Sequence, residues 1–227
     1  MRIPRSVVLI FTAAVAFAQV ATEANRNYQT KEGRAALASG LDSHERDARQ
    51  RPAELVQSLG IKPGETVVDL GTGPGYMLPW LSRAVGPSGK VLAEDIQNDF
   101  LERARDKARR ESLDNVVFIL GADKDPELPP DSADLVLVLD VYHHFDYPAP
   151  MLAGIRRALR PGGRLAIVEF YKRPGSMGDS DPNWSLRHIR LDAGDLVKEV
   201  EANGYSLVSR RDHIPGKQYI AIFTKAG

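Results

Sequence analysis

Short apolar runs alternate with amphipathic stretches through most of the chain. Five runs rich in Val, Ile and Leu predict β-strands: TVVDL, GKVLAED, NVVFILG, SADLVLVLD and RLAIVEF. Between them, NDFLERARDKARRES places Phe100, Leu101, Ala104 and Ala108 on one helical face and charges on the other. Strands that alternate with helices predict βαβ units and a parallel sheet. SADLVLVLD is apolar enough that we expect it to be buried on both faces.

The C-terminal end departs from this alternation. YSLVSRR and QYIAIFT are both strand-like, and only DHIPGK separates them. So short a connection requires an antiparallel pair. Elsewhere, YMLPWLSRAVG predicts a helix bent at Pro79, and PAPMLAGIRRALR predicts a helix that ends at the following PGG. The pattern therefore predicts an α/β fold whose mostly parallel sheet carries one antiparallel strand.

The N-terminal segment predicts export. Arg2 and Arg5 precede an uncharged run, and Ala16-Phe17-Ala18 has the small residues of a cleavage site. Residues 1–18 therefore read as a signal peptide, which directs the protein to the periplasm or the exterior and leaves no stable membrane span after cleavage. An uncleaved membrane anchor is the alternative, since the uncharged run reaches the short end of the roughly 17–25 residues that a spanning helix needs.

Two further parts follow the predicted signal. Residues 19–45 are polar and weakly patterned, which favours a linker or an N-terminal lid. Residues 46–227 contain all the predicted strands and form the expected folded domain. The sequence indicates no oligomeric state.

The composition excludes several classes of ligand and catalytic group. Lys+Arg and Asp+Glu each number 30, so no net charge attracts nucleic acid or anionic lipid. Cysteine is absent, which excludes disulfides, a catalytic thiol and cysteine-ligated zinc. His143 and His144 are adjacent, and with Asp146 they lack the i, i+4 spacing of a helical metal site, so we expect no metal.

The stretch VVDLGTGPGY predicts a ligand loop. A strand ends in Asp69, and Gly71, Gly73 and Gly75 follow. Glycine allows a tight turn and lets a ligand lie against the main chain. Asp95, about twenty residues further on, ends the second strand, where a carboxylate can accept hydrogen bonds from both hydroxyl groups of a ribose. The pattern therefore indicates a nucleoside or nucleotide ligand.

The loop differs from a dinucleotide site. Its spacing is G-x-G-x-G rather than G-x-G-x-x-G, Pro74 removes one N–H donor, and Asp69 adds negative charge beside the loop. These features favour a ligand whose near end is positive or zwitterionic. A nicotinamide-dependent oxidoreductase is accordingly the weakest of the alternatives.

In these motifs the sequence resembles the class I S-adenosylmethionine-dependent methyltransferases. The resemblance extends over residues 46–227 and rests on VVDLGTGPGY, AEDIQ, DLVLVLDVYHHF and LRPGGRLAIVEF. It is strongest to the small-molecule branch of ubiquinone/menaquinone-type enzymes. It implies a Rossmann-like fold with a seven-stranded, mostly parallel sheet, helices on both faces, S-adenosylmethionine as cofactor and a small-molecule acceptor.

The resemblance also implies roles for particular residues. Asp69 is expected near the methionine amino group, Asp95 at the ribose, and Ile96 on the adenine face. Family members usually have Gly-Asp-Ala after the third strand, whereas this chain has Gly121-Ala122-Asp123, which displaces the adenine-binding acid by one residue. The remaining cofactor contacts implied are Gly71, Thr72, Gly73, Gly75, Ala122, Asp123 and, beside the sulfonium, Asp140.

Candidate catalytic residues follow the fourth strand, in DVYHHFDYP. Tyr142, His143 and His144 would lie at the carboxyl edge of the sheet, where open α/β sheets bind ligands, and histidine titrates in the range that suits a general base. Lower-ranked candidates are Glu169, His188 and Arg190. The sequence also predicts one aromatic-lined cleft, formed by Tyr142, Phe145, Tyr147 and Trp184. An exported nucleoside-binding module without turnover stays open as the alternative to an enzyme.

Overall fold

The computed structural model describes residues 20–178 and 180–227. The predicted signal peptide at 1–18 therefore lies outside the described residues. In chain order the elements are α1 (Lys31–Leu41), α2 (Glu45–Gln50), α3 (Pro52–Leu59), β1 (Thr66–Leu70), α4 (Leu78–Val85), β2 (Lys90–Asp95), α5 (Asn98–Arg110), β3 (Val116–Leu120), β4 (Ala133–Leu139), α6 (Pro148–Ala158), β5 (Leu159–Phe170), α7 (Trp184–His188), α8 (Ala193–Ala202), β6 (Tyr205–Ile214) and β7 (Gln218–Lys225).

The seven strands form one sheet in the order β3-β2-β1-β4-β5-β7-β6. Every pairing is parallel except those of β7, which runs antiparallel to both β5 and β6. This topology confirms the predicted fold class. The strand order reverses between β1 and β4, so the carboxyl ends of these two strands flank a crevice of the kind that binds ligands in open α/β sheets.

Both faces of the sheet are covered. Along β4, Val136 and Val138 belong to one apolar cluster, whereas Leu135 and Leu137 belong to a second cluster on the opposite face. All four side chains are fully buried. The prediction that β4 is buried on both faces is therefore confirmed, and this rigid centre fixes the position of the loop that follows β4.

Two helix predictions near the site need correction. Pro79 does not bend a helix, because α4 begins at Leu78 and Pro79 falls in its first turn, where a missing N–H costs no hydrogen bond. The helix α6 ends at Ala158, earlier than predicted, and β5 begins at Leu159. The Pro-Gly-Gly sequence thus lies inside β5, beside an irregularity in its pairing with β4.

The N-terminal segment, expected to be a linker or lid, contains helices and packs on the domain. Thr30 caps α1 by accepting a hydrogen bond from the Gly33 amide. Arg34 then pairs with both carboxylate oxygens of Asp99 at 2.9 Å, which ties α1 to α5. Over the described residues, none of the helices has the length and apolar character to cross a membrane.

Candidate active site

A cavity of about 950 Å³ opens at the carboxyl ends of β1, β2, β4 and β5. The N-terminal segment contributes to its wall through Asn25, Tyr28 and Arg46. The cavity brings together nine of the residues predicted from the sequence: Gly71, Thr72, Gly73, Asp95, Ile96, Asp123, Asp140, His143 and His144.

The glycine loop exposes bare main chain to this cavity. Gly71 and Gly73 have positive φ angles of 72° and 56°, which side chains rarely adopt. A Cβ on Gly71 would lie 2.6 Å from Val141, whereas a Cβ on Gly73 would meet nothing within 4 Å. Gly71 therefore allows Val141 to pack closely against the loop, and Gly73 leaves the main chain open to the cavity.

Asp95 holds the loop in place. Its Oδ2 accepts a hydrogen bond from the Gly73 amide and its Oδ1 accepts one from the Gln97 amide, both at 2.8 Å. Burial raises the pKa of Asp95 to about 6, because ionisation in this enclosed position is costly. The Asp95 carboxylate lies on the cavity wall, where its oxygens can also accept hydrogen bonds from the hydroxyl groups of a ligand.

Three predicted cofactor contacts are not among the residues that line the cavity. Asp69 is buried, and its Oδ2 accepts a hydrogen bond of 2.7 Å from the Thr72 hydroxyl. A Cβ on Gly75 would touch Leu78, so this glycine serves helix packing. Ala122 forms an isolated bridge with Asp125. In this structure these residues shape the loops that carry the wall and are not part of the wall.

Sequence reasoning missed Glu94, which also lines the cavity. Its Oε2 accepts a hydrogen bond of 3.2 Å from the Gly71 amide, and burial raises its pKa well above the usual value. A Cβ on Gly121 would lie 1.8 Å from Glu94 Oε1, so a glycine at that position makes room for the carboxyl group. The available signal was its position, directly before Asp95 at the end of β2.

Asp140 is held in an unusual backbone conformation at the end of β4, with φ of +55°. Its Oδ2 accepts a hydrogen bond of 3.1 Å from Arg46, and its Oδ1 accepts one of 2.6 Å from Gln218. Burial raises its pKa to about 6, even though Arg46 acts in the opposite direction. Arg46, another residue that the sequence did not reveal, also lies over the Tyr76 ring at 4.3 Å.

His143 forms a buried pair with Glu169. Its Nδ1 lies 2.6 Å from Glu169 Oε2, and the two side chains are 3% and 1% exposed. Because a carboxylate accepts, the proton of a neutral His143 ring lies on Nδ1, and Nε2 keeps its lone pair. Glu169 is fixed in turn by the amides of His143 and Phe170.

His144 is oriented from the N-terminal segment. Asn25 Nδ2 donates to the carbonyl of His144 and to Asp146, so its Oδ1 is directed at His144 Nδ1, at 2.8 Å. The amide oxygen accepts, which again leaves Nε2 as the nitrogen with a lone pair. Burial lowers the pKa of His144 well below its usual value, and the Tyr28 ring lies edge-on at 4.8 Å.

His188, a lower-ranked candidate from the sequence, completes this side of the cavity. Its ring centroid lies 4.8 Å from that of His143 and 5.4 Å from that of His144. Trp184 stacks on its other side at 4.7 Å. Burial lowers the pKa of His188 to about 4, so the ring is neutral at pH 7. We call His143, His144 and His188 the histidine cluster.

The predicted aromatic cleft is wrong in most of its members. Tyr142 is buried beneath the cavity, where its hydroxyl donates to Glu199 at 2.7 Å and burial raises its pKa. Tyr147 packs against Lys124, and Trp184 covers His188. Only Phe145 of the four lies on the cavity wall. Tyr142 is therefore a poor candidate for contact with a substrate.

Residues 61–210 match a protein family described as a methyltransferase domain. A methyltransferase from Aquifex aeolicus, described as SAM-dependent, superposes with a TM-score of 0.75 at 25% identity, over 83% of this chain and 96% of that one. The chain belongs to the class I S-adenosylmethionine-dependent methyltransferases.

Two curated relatives match shorter stretches of this methyltransferase. An uncharacterized 37.1 kDa protein in transposon TN4556 of Streptomyces fradiae is 40% identical over 122 residues, which cover 54% of this chain and 35% of the relative. The ubiquinone/menaquinone biosynthesis C-methyltransferase UbiE of Vibrio vulnificus is 34% identical over 118 residues, 52% of this chain and 45% of the relative. The matched stretches thus span under half the length of both relatives.

The residues of this methyltransferase fit S-adenosylmethionine. The cavity wall includes the open main chain at Gly73 and the carboxyl groups of Asp95 and Asp140. Burial raises the pKa of both carboxyl groups to about 6, so a cationic ligand would stabilise their ionised forms. A sulfonium with an α-amino group supplies such charge, and a pyrophosphate would oppose it.

Proposed function

We propose that this methyltransferase transfers a methyl group from S-adenosylmethionine to a small-molecule acceptor held against His143. The observation that carries the proposal is that one cavity contains both the adenosyl-binding wall, Gly73 and Asp95, and the buried His143–Glu169 pair. The acceptor and the cofactor can therefore meet inside a single enclosed space. The balanced charge of the chain also supports a small molecule over a nucleic acid.

The chemistry assigns a role to each side of the cavity. When bound, S-adenosylmethionine supplies an electrophilic methyl group on a cationic sulphur. His143 Nε2 accepts the acceptor's proton as the acceptor's electron pair bonds to the methyl carbon and the carbon–sulphur bond breaks. Glu169 stabilises the imidazolium that results, and Asp140 adds negative charge near the cation. Enclosure holds the acceptor in line, a positioning effect worth up to about 7–11 kcal/mol.

The wall near His143 indicates the character of the acceptor. Tyr28, Phe145 and Phe170 give this part of the cavity an apolar, aromatic surface, and the histidine cluster supplies hydrogen-bonding groups. A partly apolar molecule with an ionisable hydroxyl or amine fits both. UbiE is named for quinone biosynthesis, and this supports including hydroxylated aromatic compounds among the acceptors to be tested.

Ligand binding followed by a turnover screen tests the proposal. S-adenosylhomocysteine at about 100 times its dissociation constant should stabilise the folded protein by roughly 2.7 kcal/mol, whereas NAD should not. Methyl transfer from labelled S-adenosylmethionine to a member of an acceptor panel would then show an enzyme. Binding without transfer to any hydroxylated aromatic, amine or metabolite extract would favour the non-catalytic nucleoside-binding module. Tighter binding of NAD would contradict the proposal.

We also propose that the protein is exported and that cleavage after Ala18 releases it. The support is the order of charge, apolar run and small residues in 1–18. Intact mass of protein recovered from the periplasm or medium of a Gram-negative host should give a chain beginning at Gln19. An Ala18→Leu variant should keep its leader, because a large residue blocks the small-residue cleavage site. Cytoplasmic recovery with Met1 in place would contradict export, and a membrane-bound intact chain would favour the anchor.

A further inference from the structure

We propose that the histidine cluster binds one divalent transition-metal ion of the zinc type. One ring nitrogen from each of His143, His144 and His188 lies within 4.8 Å of the others. Three imidazoles and an open position form the ligand set of several zinc sites that keep a coordination position for another group. Imidazole nitrogen selects zinc, cobalt, nickel or copper over magnesium and calcium.

The tautomers of two ligands are already fixed for coordination. Nδ1 of His143 is directed at Glu169 and Nδ1 of His144 at Asn25, so each ring has its lone pair on Nε2. A hydrogen bond from the other ring nitrogen to a carboxylate or carbonyl oxygen is the usual support of a metal-binding histidine. Two separate elements, β5 and the N-terminal segment, thus provide the supporting shell that such a site requires.

The third ligand is not committed to another partner. His188 Nδ1 is buried and has no hydrogen-bond partner among the described residues. Trp184 and the other two imidazoles hold the His188 ring by stacking and edge contacts. A buried ring nitrogen without a hydrogen-bond partner destabilises the folded protein. A metal ion that takes the available lone pair of the His188 ring would remove part of that cost.

Coordination requires only a small contraction. Tetrahedral ligation at about 2.0–2.1 Å places neighbouring nitrogens about 3.3 Å apart, closer than the 4.8 Å limit within which these three nitrogens lie. All three residues line the same cavity, so an ion on the cluster would border the space that we assign to the acceptor. Asp146 is the third potential ligand nearest in sequence to His143 and His144, whereas His188 is 44 positions beyond His144 and only the fold brings it to them.

The site has a consequence that rests on the proposed function. An ion on the cluster occupies His143 Nε2, the nitrogen that would accept the acceptor's proton. Metal and proton therefore compete, and the ion-loaded enzyme has no free base at that position. We expect added zinc to lower turnover and a chelator to restore it.

Cobalt binding to the untagged full-length protein tests the site without reference to activity. Wild type should bind one Co²⁺ per chain with the intense visible absorption of a four-coordinate ion, and zinc should displace it. His188→Gln should weaken binding at least about tenfold, as expected for loss of a ligand. His44→Gln is the matched control, because His44 is fully exposed outside the cluster. Retained S-adenosylhomocysteine binding shows that His188→Gln is folded, and His144→Gln replaces it if that binding is lost.

Each outcome decides the proposal. Absence of the four-coordinate spectrum, binding that survives in both cluster variants, or binding that His44→Gln abolishes would overturn the site. Zinc should lower the turnover of wild type by a larger factor than the turnover of His188→Gln, whatever the basal rate of the variant. Equal zinc sensitivity in both proteins would overturn the competition. If cobalt binds as expected but no methyl transfer is detected, the metal site is supported and only the proposed function is contradicted. The two proposals can therefore be tested separately.

Discussion

Asp95→Asn is expected to raise the dissociation constant for S-adenosylhomocysteine by about 30- to 150-fold. The carboxylate can accept both ribose hydroxyls, and loss of the charged acceptor removes about 2–3 kcal/mol of binding energy. The same group anchors the Gly73 amide, so the loop also loses its tie to β2. Isothermal titration calorimetry at pH 8 measures the change. Asp106→Asn, an exposed pair with Arg109 on α5, is the control and should bind as wild type does.

The pH dependence of binding identifies the responsible group. The pKa of Asp95 in the free protein is raised to about 6, so at pH 5 roughly nine in ten molecules carry the proton. Wild-type affinity should therefore fall about tenfold from its plateau at pH 5, with a shallower slope in Asp95→Asn. Equal slopes in the two proteins would contradict a ribose role for Asp95.

The free energy of unfolding provides an independent check on this variant. Because the folded pKa of Asp95 is raised, the folded chain holds a proton that the unfolded chain releases. Asp95 therefore lowers stability progressively as pH rises from about 4 to about 6, by on the order of 3 kcal/mol. A neutral Asn removes that cost. Asn keeps only one acceptor oxygen for the Gly73 and Gln97 amides, so the lost hydrogen bond offsets part of this gain. We expect ligand-free Asp95→Asn to unfold close to the wild-type temperature at pH 7.5, so that weak binding cannot be attributed to misfolding.

His143→Gln is expected to lower kcat by about 10²- to 10⁴-fold, the usual contribution of a general base. Binding of S-adenosylhomocysteine should be unchanged, because His143 lies on the acceptor side of the cavity. Glu169→Gln should cost less, about ten- to a hundredfold, since the ring stays in place while the stabilising charge is lost. Single-turnover methyl transfer with an acceptor from the screen measures the chemical step in metal-free buffer.

A histidine outside the cavity wall serves as the control for this pair. His44 is fully exposed just before α2. His44→Gln should keep wild-type kcat. Unchanged turnover in both His143→Gln and Glu169→Gln would remove the base from the mechanism and leave positioning as the chief contribution of the protein.

Most of the sheet could be predicted from local patterns. The apolar run of β4 requires cover on two faces. The short DHIPGK link predicted between the last two strands, which is only residues 215–217 in the structure, permits only antiparallel pairing. Loop chemistry was equally local: Gly73 and Asp95 are recognisable because a ligand loop needs bare main chain and a ribose needs an acceptor at the end of the next strand. The prediction of a helix bent at Pro79 was wrong because a proline in the first turn of a helix cannot be distinguished by sequence from a proline that bends a helix.

The rest of the site depends on contacts between residues distant in sequence. Arg46 and Asp140 are 94 positions apart, and Asn25 and His144 are 119 apart. No spacing rule links such pairs, because their proximity results from the packing of the N-terminal segment against the residues that follow β4. The direction of a side chain is equally hidden: Tyr142 and His143 are neighbours, yet one points beneath the cavity and the other lies on its wall.

Part of the cavity wall comes from outside the stretch that matches the methyltransferase family. That match ends at residue 210, within β6, and begins at 61, after the segment that carries Asn25, Tyr28 and Arg46. A truncated protein cut to those limits would lose β7, an inner strand between β5 and β6, together with the part of the cavity wall that Asn25, Tyr28 and Arg46 provide. Chimeras and minimal fragments of this enzyme should therefore keep residues 20–60 and 211–227, since catalytic competence and a folded sheet both extend past the recognisable motifs.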